Sequence, residues 1–145
     1  MSESKRDPRE ALLQAISRFD RTFSRGPAAQ VAALFSEHAR LMWPGTEDFV
    51  GREAITAALG EFFGEFTPIA FTPDRQVVEL CGTKAFSIGR FIEDVQSKSG
   101  GPAQRIHGRI VEMWAQTEKG DWEIASLLTG RYAENETLPS SPGSP

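Results

Sequence analysis

Arg105-Ile106-His107-Gly108-Arg109-Ile110-Val111-Glu112-Met113-Trp114-Ala115-Gln116 decides the fold. Its apolar residues alternate with polar ones, the period of a β-strand, and it is about twice the usual strand length of roughly 5–6 residues. Ala85 to Val95 has the same character, and Gln96 to Ala103, carrying Gly100-Gly101-Pro102, joins the two. Trp122 to Arg131 follows across Thr117 to Asp121, and Arg75 to Leu80 precedes across Cys81-Gly82-Thr83-Lys84. Connectors this short and polar join antiparallel neighbours. Strands this long bend, so the expectation is a curved antiparallel sheet wrapped around something.

That something lies upstream, where the period is helical. Asp7 can cap a helix that Pro8 opens, with Glu10 three residues after the cap. Leu12, Ile16, Phe19 and Phe23 then form one apolar stripe. Gly26-Pro27 ends this helix and starts a second, whose Val31, Leu34 and Phe35 share a side and which is expected to end near His38. Arg40 to Trp43 reads as a short strand before the turn Pro44-Gly45. A third helix is expected from Arg52 to about Phe66, with Ile55, Leu59, Phe62, Phe63 and Phe66 buried. The expected fold is thus α+β, a cone-shaped sheet around three N-terminal helices. Residues 1–132 make one domain, and 133–145, ending Pro139-Ser140-Ser141-Pro142-Gly143-Ser144-Pro145, are expected to be a disordered tail.

Composition narrows the function classes. The chain has 145 residues, 39% hydrophobic and 25% charged, which suits a globular domain. Its 16 basic and 20 acidic residues are scattered, so no basic patch for nucleic acid is expected. The polar start Met1-Ser2-Glu3-Ser4-Lys5-Arg6-Asp7 lacks the apolar core of a signal peptide, and no apolar run approaches the ~18 residues of a membrane span. A cytoplasmic location without membrane contact is the expectation. Cys81 is the only cysteine, and no Cys/His spacing suits a metal. With neither G-x-G-x-x-G nor a P-loop, no cofactor is expected.

Two stretches carry a family resemblance. Val31 to Pro44, followed by Phe49-Val50-Gly51-Arg52-Glu53-Ala54-Ile55, and later Gly108 to Trp114 with Gly120-Asp121-Trp122-Glu123-Ile124-Ala125, together resemble the SnoaL-like and ketosteroid-isomerase-like proteins of the nuclear-transport-factor-two-like superfamily. The resemblance spans about residues 10 to 131. It implies a cone with a pocket at its open end, a small apolar ligand or substrate, and a homodimer joined through the outer face of the sheet. Where the isomerases keep a general-base Asp this chain has Trp43. Where they keep a Tyr it has Phe19, and the nearest match to their buried Asp is Glu112. The epoxide-hydrolase branch places an acid two residues after its Arg. In Arg90-Phe91-Ile92-Glu93-Asp94 the acids stand three and four positions on, so that relay is not matched.

Glu112 and Arg90 are therefore the candidate catalytic residues. If Ile110, Glu112 and Trp114 line the pocket, a desolvated Glu112 carboxyl gains a raised pKa suited to proton transfer. The other reading has Glu112 solvated on the outer face. Arg90 alternates with Phe86, Ile88 and Ile92, as an inward cation would that pairs with Glu112, grips an anionic ligand or only closes the end of the core. His107 and Arg109 fall on the face opposite Glu112, unless the register slips by one. His38 suits a helix C-terminus. Candidate ligand-binding residues are Phe19, Trp43, Phe62, Phe63, Phe86 and Trp114, which could equally be ordinary aromatic core. Two functions stand: an isomerase, lyase or hydrolase using a pocket carboxylate, or a non-catalytic ligand-binding or homodimeric scaffold domain.

Overall fold

The computed structural model describes residues 7–139; the remainder of the expected tail, 140–145, lies outside the described residues. Helix α1 spans Pro8–Phe23, with Asp7 accepting from the Arg9 amide at 3.1 Å and Pro8 at the first position. Ala11, Leu12, Ala15, Ile16 and Phe19 form its buried stripe. Helix α2 is only Ala28–Ala32, and strand β1 begins at Phe35 and runs to Met42. The expected second helix to His38 is corrected here. Val31, Leu34 and Phe35 have helical spacing, but Phe35, Ala39 and Leu41 are buried at strand spacing along β1. His38 is an exposed strand residue, away from any helix end.

A two-residue strand β2, Phe49–Val50, pairs with β1 and leads through Gly51 (φ 95°) into α3, Arg52–Glu65. Arg52 turns back and donates from Nε and Nη2 to the Phe35 carbonyl at 3.1 and 2.7 Å, tying α3 to β1. Ile55, Ala58 and Leu59 face the core.

The chain then enters four long strands: β3 Phe66–Cys81, β4 Lys84–Ser97, β5 Gln104–Gln116 and β6 Trp122–Arg131. β3 begins nine residues before the expected Arg75, despite Pro68 and Pro73. It is the edge of the sheet, where a missing amide donor is tolerated. The order is β2-β1-β6-β5-β4-β3, with all neighbours antiparallel except β1 and β6, which run parallel. The sheet is therefore mixed, because β1 reaches β6 through a crossover and not a hairpin. A short strand β7, Glu136–Thr137, pairs with β5 at Arg105 and Gln104. Residues 136–138 of the expected disordered tail are thus bonded to the sheet.

The helices pack on the inner face, burying Leu12, Phe19, Val31, Ile55 and Leu59 against Leu41, Ile110, Trp114 and Ile124. Among the described residues no helix is long and apolar enough to cross a membrane.

Candidate functional site

A cavity of about 480 Å³ opens between the helices and the concave face of the sheet. That volume is in the range that holds small organic ligands. Its walls are aromatic: Phe19 from α1, Phe35 from β1, Phe62 from α3, Phe71 from β3 and Phe91 from β4. Trp43 and the turn Pro44-Gly45-Thr46 contribute at one side; Gln104, Arg131 and Asn135 contribute at another. The rings interlock, with Phe71 on Phe91 at 5.5 Å and Trp43 on Phe62 at 6.2 Å between centroids. Gly108 makes room for this wall, since a Cβ there would collide with the Phe91 ring.

One carboxyl enters the cavity, that of Glu93. Glu93 stands on β4 between Phe71 of β3 and Ile106 of β5 in the ladder. It is 5% exposed, and its Oε2 is buried with no hydrogen-bond partner. Burial, reinforced by the charge of Asp94, pushes its pKa up to about 7. Asp94 points the other way and is held below the ordinary carboxylate range by Arg105, whose Nε and Nη2 lie 2.8 and 3.0 Å from it.

The second buried acid, Glu112, is placed differently. Its Oε1 accepts from Ser87 Oγ at 2.6 Å and from Arg75 Nε at 2.8 Å, and its Oε2 accepts from Arg75 Nη2 at 3.0 Å. Arg75 in turn grips Asp20 of α1 through Nη1 and Nη2, both at 2.9 Å. The cluster pins α1 to β3 and β5. Burial works against the Arg75 charge, but Glu112 and Asp20 outweigh it and hold its pKa above the ordinary value. One guanidinium serves two carboxylates, so burial still pushes Asp20 up to about 6 against the pull of Arg75. Glu112 is walled off from the cavity by its neighbours and does not line it.

Of the residues named from sequence, Phe19, Trp43 and Phe62 line the cavity. Phe63 supports it from behind, 6.5 Å from Phe23, and Trp114 is buried in the adjoining core. Phe86 and Arg90 require correction: both lie on the outer face of β4. Arg90 is exposed and sits over the Tyr132 ring at 5.2 Å, with Arg109 over the same ring at 5.0 Å. The partner of Glu112 is Arg75, which β3 brings to the inner face. His107 lies near Glu136 at 3.5 Å, on the face away from Glu112.

The physical reason is register. Ser87 is opposite Glu112, Gly89 opposite Ile110 and Phe91 opposite Gly108. Residues directly opposite share a face, so an inward Glu112 turns Ser87, Phe91 and Glu93 inward and Arg90 outward. Phe86, Ile88 and Ile92 are the more apolar set, which made their face look buried. The signal that could have found Glu93 was this parity, read across the β4–β5 hairpin. Among the described residues no group of three or more His, Cys, Asp or Glu side chains is gathered as a metal site.

Solved structures with this fold span several chemistries. A hexachlorocyclohexane dehydrochlorinase (LinA) type 2 superposes with a TM-score of 0.79 at 14% identity, covering 94% of this chain and 93% of its own. A ketosteroid isomerase-like protein from Erwinia carotovora atroseptica gives 0.73 at 16%, covering 87% and 94%. A protein from Catenulispora acidiphila, solved in complex with S-DNPA, gives 0.66 at 18%, covering 85% and 92%. No curated protein matches the chain in sequence. The model of the SnoaL-like domain matches residues 5–127, nearly all of the helices and sheet just described, and the chain belongs to the SnoaL-like family.

Proposed function

We propose that the protein is a small-molecule enzyme of the isomerase or lyase type, which uses Glu93 for proton transfer on a largely apolar substrate. The observation that carries this reading is a carboxyl inside an aromatic cavity with a partnerless oxygen and a pKa raised to about 7. Such a group holds and releases a proton near neutral pH, as a general acid or base must. The aromatic walls exclude water and would bind the body of the substrate. Glu112, committed to Ser87 and Arg75, serves the architecture, so the pocket-carboxylate role falls to Glu93.

The test needs no natural substrate. The Glu93 carboxyl carbon, followed by NMR, is expected to titrate near pH 7. The probe 5-nitrobenzisoxazole reports the same group: a carboxylate takes its ring C–H proton, the N–O bond breaks and a cyanophenolate forms. Opening of the probe should rise through the same pH and fall at least about 100-fold in Glu93→Gln, the range of general-base contributions. A midpoint near 4.5 together with an unaffected Glu93→Gln variant would return the chain to the non-catalytic binding reading.

Association of two copies through the outer face of the sheet belongs to the same proposal. Exposed Ile88, Ile92, Met113 and Leu128 support it, lying beside the Arg90–Tyr132–Arg109 stack. Sedimentation equilibrium is expected to report a dimer that Ile88→Lys dissociates; a monomeric parent protein would refute it.

A further inference from the structure

We infer that Asn135, from the segment after the last long strand, is a substrate-positioning residue. It would accept a hydrogen bond from a hydroxyl or N–H group on an uncharged, ring-bearing substrate held beside Glu93. The inference names the substrate class for the proposed site and rests on the cavity being that site.

Asn135 lines the cavity, and its Oδ1 is buried with no hydrogen-bond partner. A buried acceptor left unmatched costs about 1–3 kcal/mol, so such an atom facing a cavity calls for a donor within it. The segment that carries it is firmly placed. The Tyr132 amide donates to the His107 carbonyl at 3.2 Å, and the Leu138 amide donates to the Ala103 carbonyl at 2.8 Å. Between these ties β7 pairs Glu136 with Arg105 and Thr137 with Gln104.

Extending that register by one residue brings Asn135 beside Ile106, and Ile106 is itself opposite Glu93 on β4. Asn135, Ile106 and Glu93 thus lie in one row across the cavity wall, all three lining it. The outer two are about two strand spacings apart, roughly 10 Å between Cα atoms. The arrangement offers an acceptor and a proton-exchanging carboxyl on one wall, with aromatic rings filling the others. A neutral ring system with one donor group satisfies the acceptor and places a neighbouring atom of the ring system toward Glu93. An anionic group would meet the Glu93 charge, against which the cavity sets only Arg131, exposed at its rim.

The experiment compares two probes of one shape, 2-naphthol and 2-methoxynaphthalene, by equilibrium binding to the full chain at pH 6. Only the first carries a donor. The parent protein is expected to prefer the naphthol by about tenfold, the value of one hydrogen bond. Asn135→Leu should abolish that preference and leave the affinity for the ether unchanged, which also shows that the fold is intact. Asn135→Asp, which keeps an acceptor oxygen, should retain the preference. Glu93→Leu should retain it too.

The inference is overturned if the parent protein shows no preference, if neither probe binds, or if the preference survives in Asn135→Leu. Loss in Glu93→Leu in place of Asn135→Leu overturns it as well, by making Glu93 the acceptor. Because binding is read and not turnover, the outcome is separate from the Glu93 titration. A Glu93 midpoint near 4.5 with an Asn135-dependent preference would sink the catalytic reading alone.

Discussion

Two carboxylates lie buried on the concave face of the same sheet, and their surroundings differ in almost every respect. Glu112 is enclosed by three donor contacts from Ser87 and Arg75, and Asp20, held by the same guanidinium, ties a helix to the cluster. Glu93 has a partnerless oxygen and an aromatic cavity before it. Both carboxyls are buried. One spends its charge on neighbours in the protein, and the other leaves a proton available. Burial of an acid therefore does not mark a reactive group; a buried acid with an unmet hydrogen-bonding capacity is the better sign.

The largest expected effect breaks the first site. Arg75→Met leaves Glu112 and Asp20 without a counter-charge and should cost about 3–5 kcal/mol in urea unfolding, the range for removing one partner of a buried pair. A loss below about 1 kcal/mol would mean that the cluster is better solvated than its burial implies.

The next effect sharpens the contrast through pH. A carboxyl whose pKa is raised on folding binds more proton in the native state, so stability falls as pH rises between the unfolded and folded values. For Glu93 the window runs from 4.5 to about 7. The shift corresponds to about 3 kcal/mol, lost by the upper end. Glu93→Gln should remove that decline and be the more stable protein at pH 8, while a smaller decline from Asp20 persists between 3.8 and about 6. Parallel stability–pH curves for the two proteins would refute the assignment.

The smallest effect tests how fully Glu112 is satisfied. Ser87→Ala removes one of its three donors and should cost about 1.5 kcal/mol, the low end for a hydrogen bond to a charged group, with Arg75 keeping the carboxylate paired.

Much of this architecture was legible in the chain. The alternation of β5 and β6, the Asp7-Pro8 start of α1 and the SnoaL-like spacing each pointed to a helix-filled curved sheet, because local pattern and global fold agree there. Alternation put Ile110, Glu112 and Trp114 on one face, but which face turns inward stood open between two readings. The site was harder to read because it depends on relations between strands. Which face of β4 turns inward is settled by pairing with β5, and the apolar run Phe86, Ile88 and Ile92 pointed the wrong way. Arg75 was invisible as the partner of Glu112, since 37 residues and two hairpins separate them. Asn135 lay in a stretch whose Ser/Pro-rich end suggested disorder, and the backbone ties that place it all run to residues far upstream, from Ala103 to His107.

The prolines of β3 carry a consequence for self-assembly. An open sheet has two edges on which a stray strand, from another copy or from a misfolded chain, can add by backbone pairing. Here one edge is β2, only two residues long, and the other is β3, where Pro68 and Pro73 leave gaps in the row of donors. A strand arriving at the first half of β3 meets an interrupted template. The first half of β3 is thus a poor seed for fibril growth, a protection that Pro68→Val and Pro73→Val would erode together.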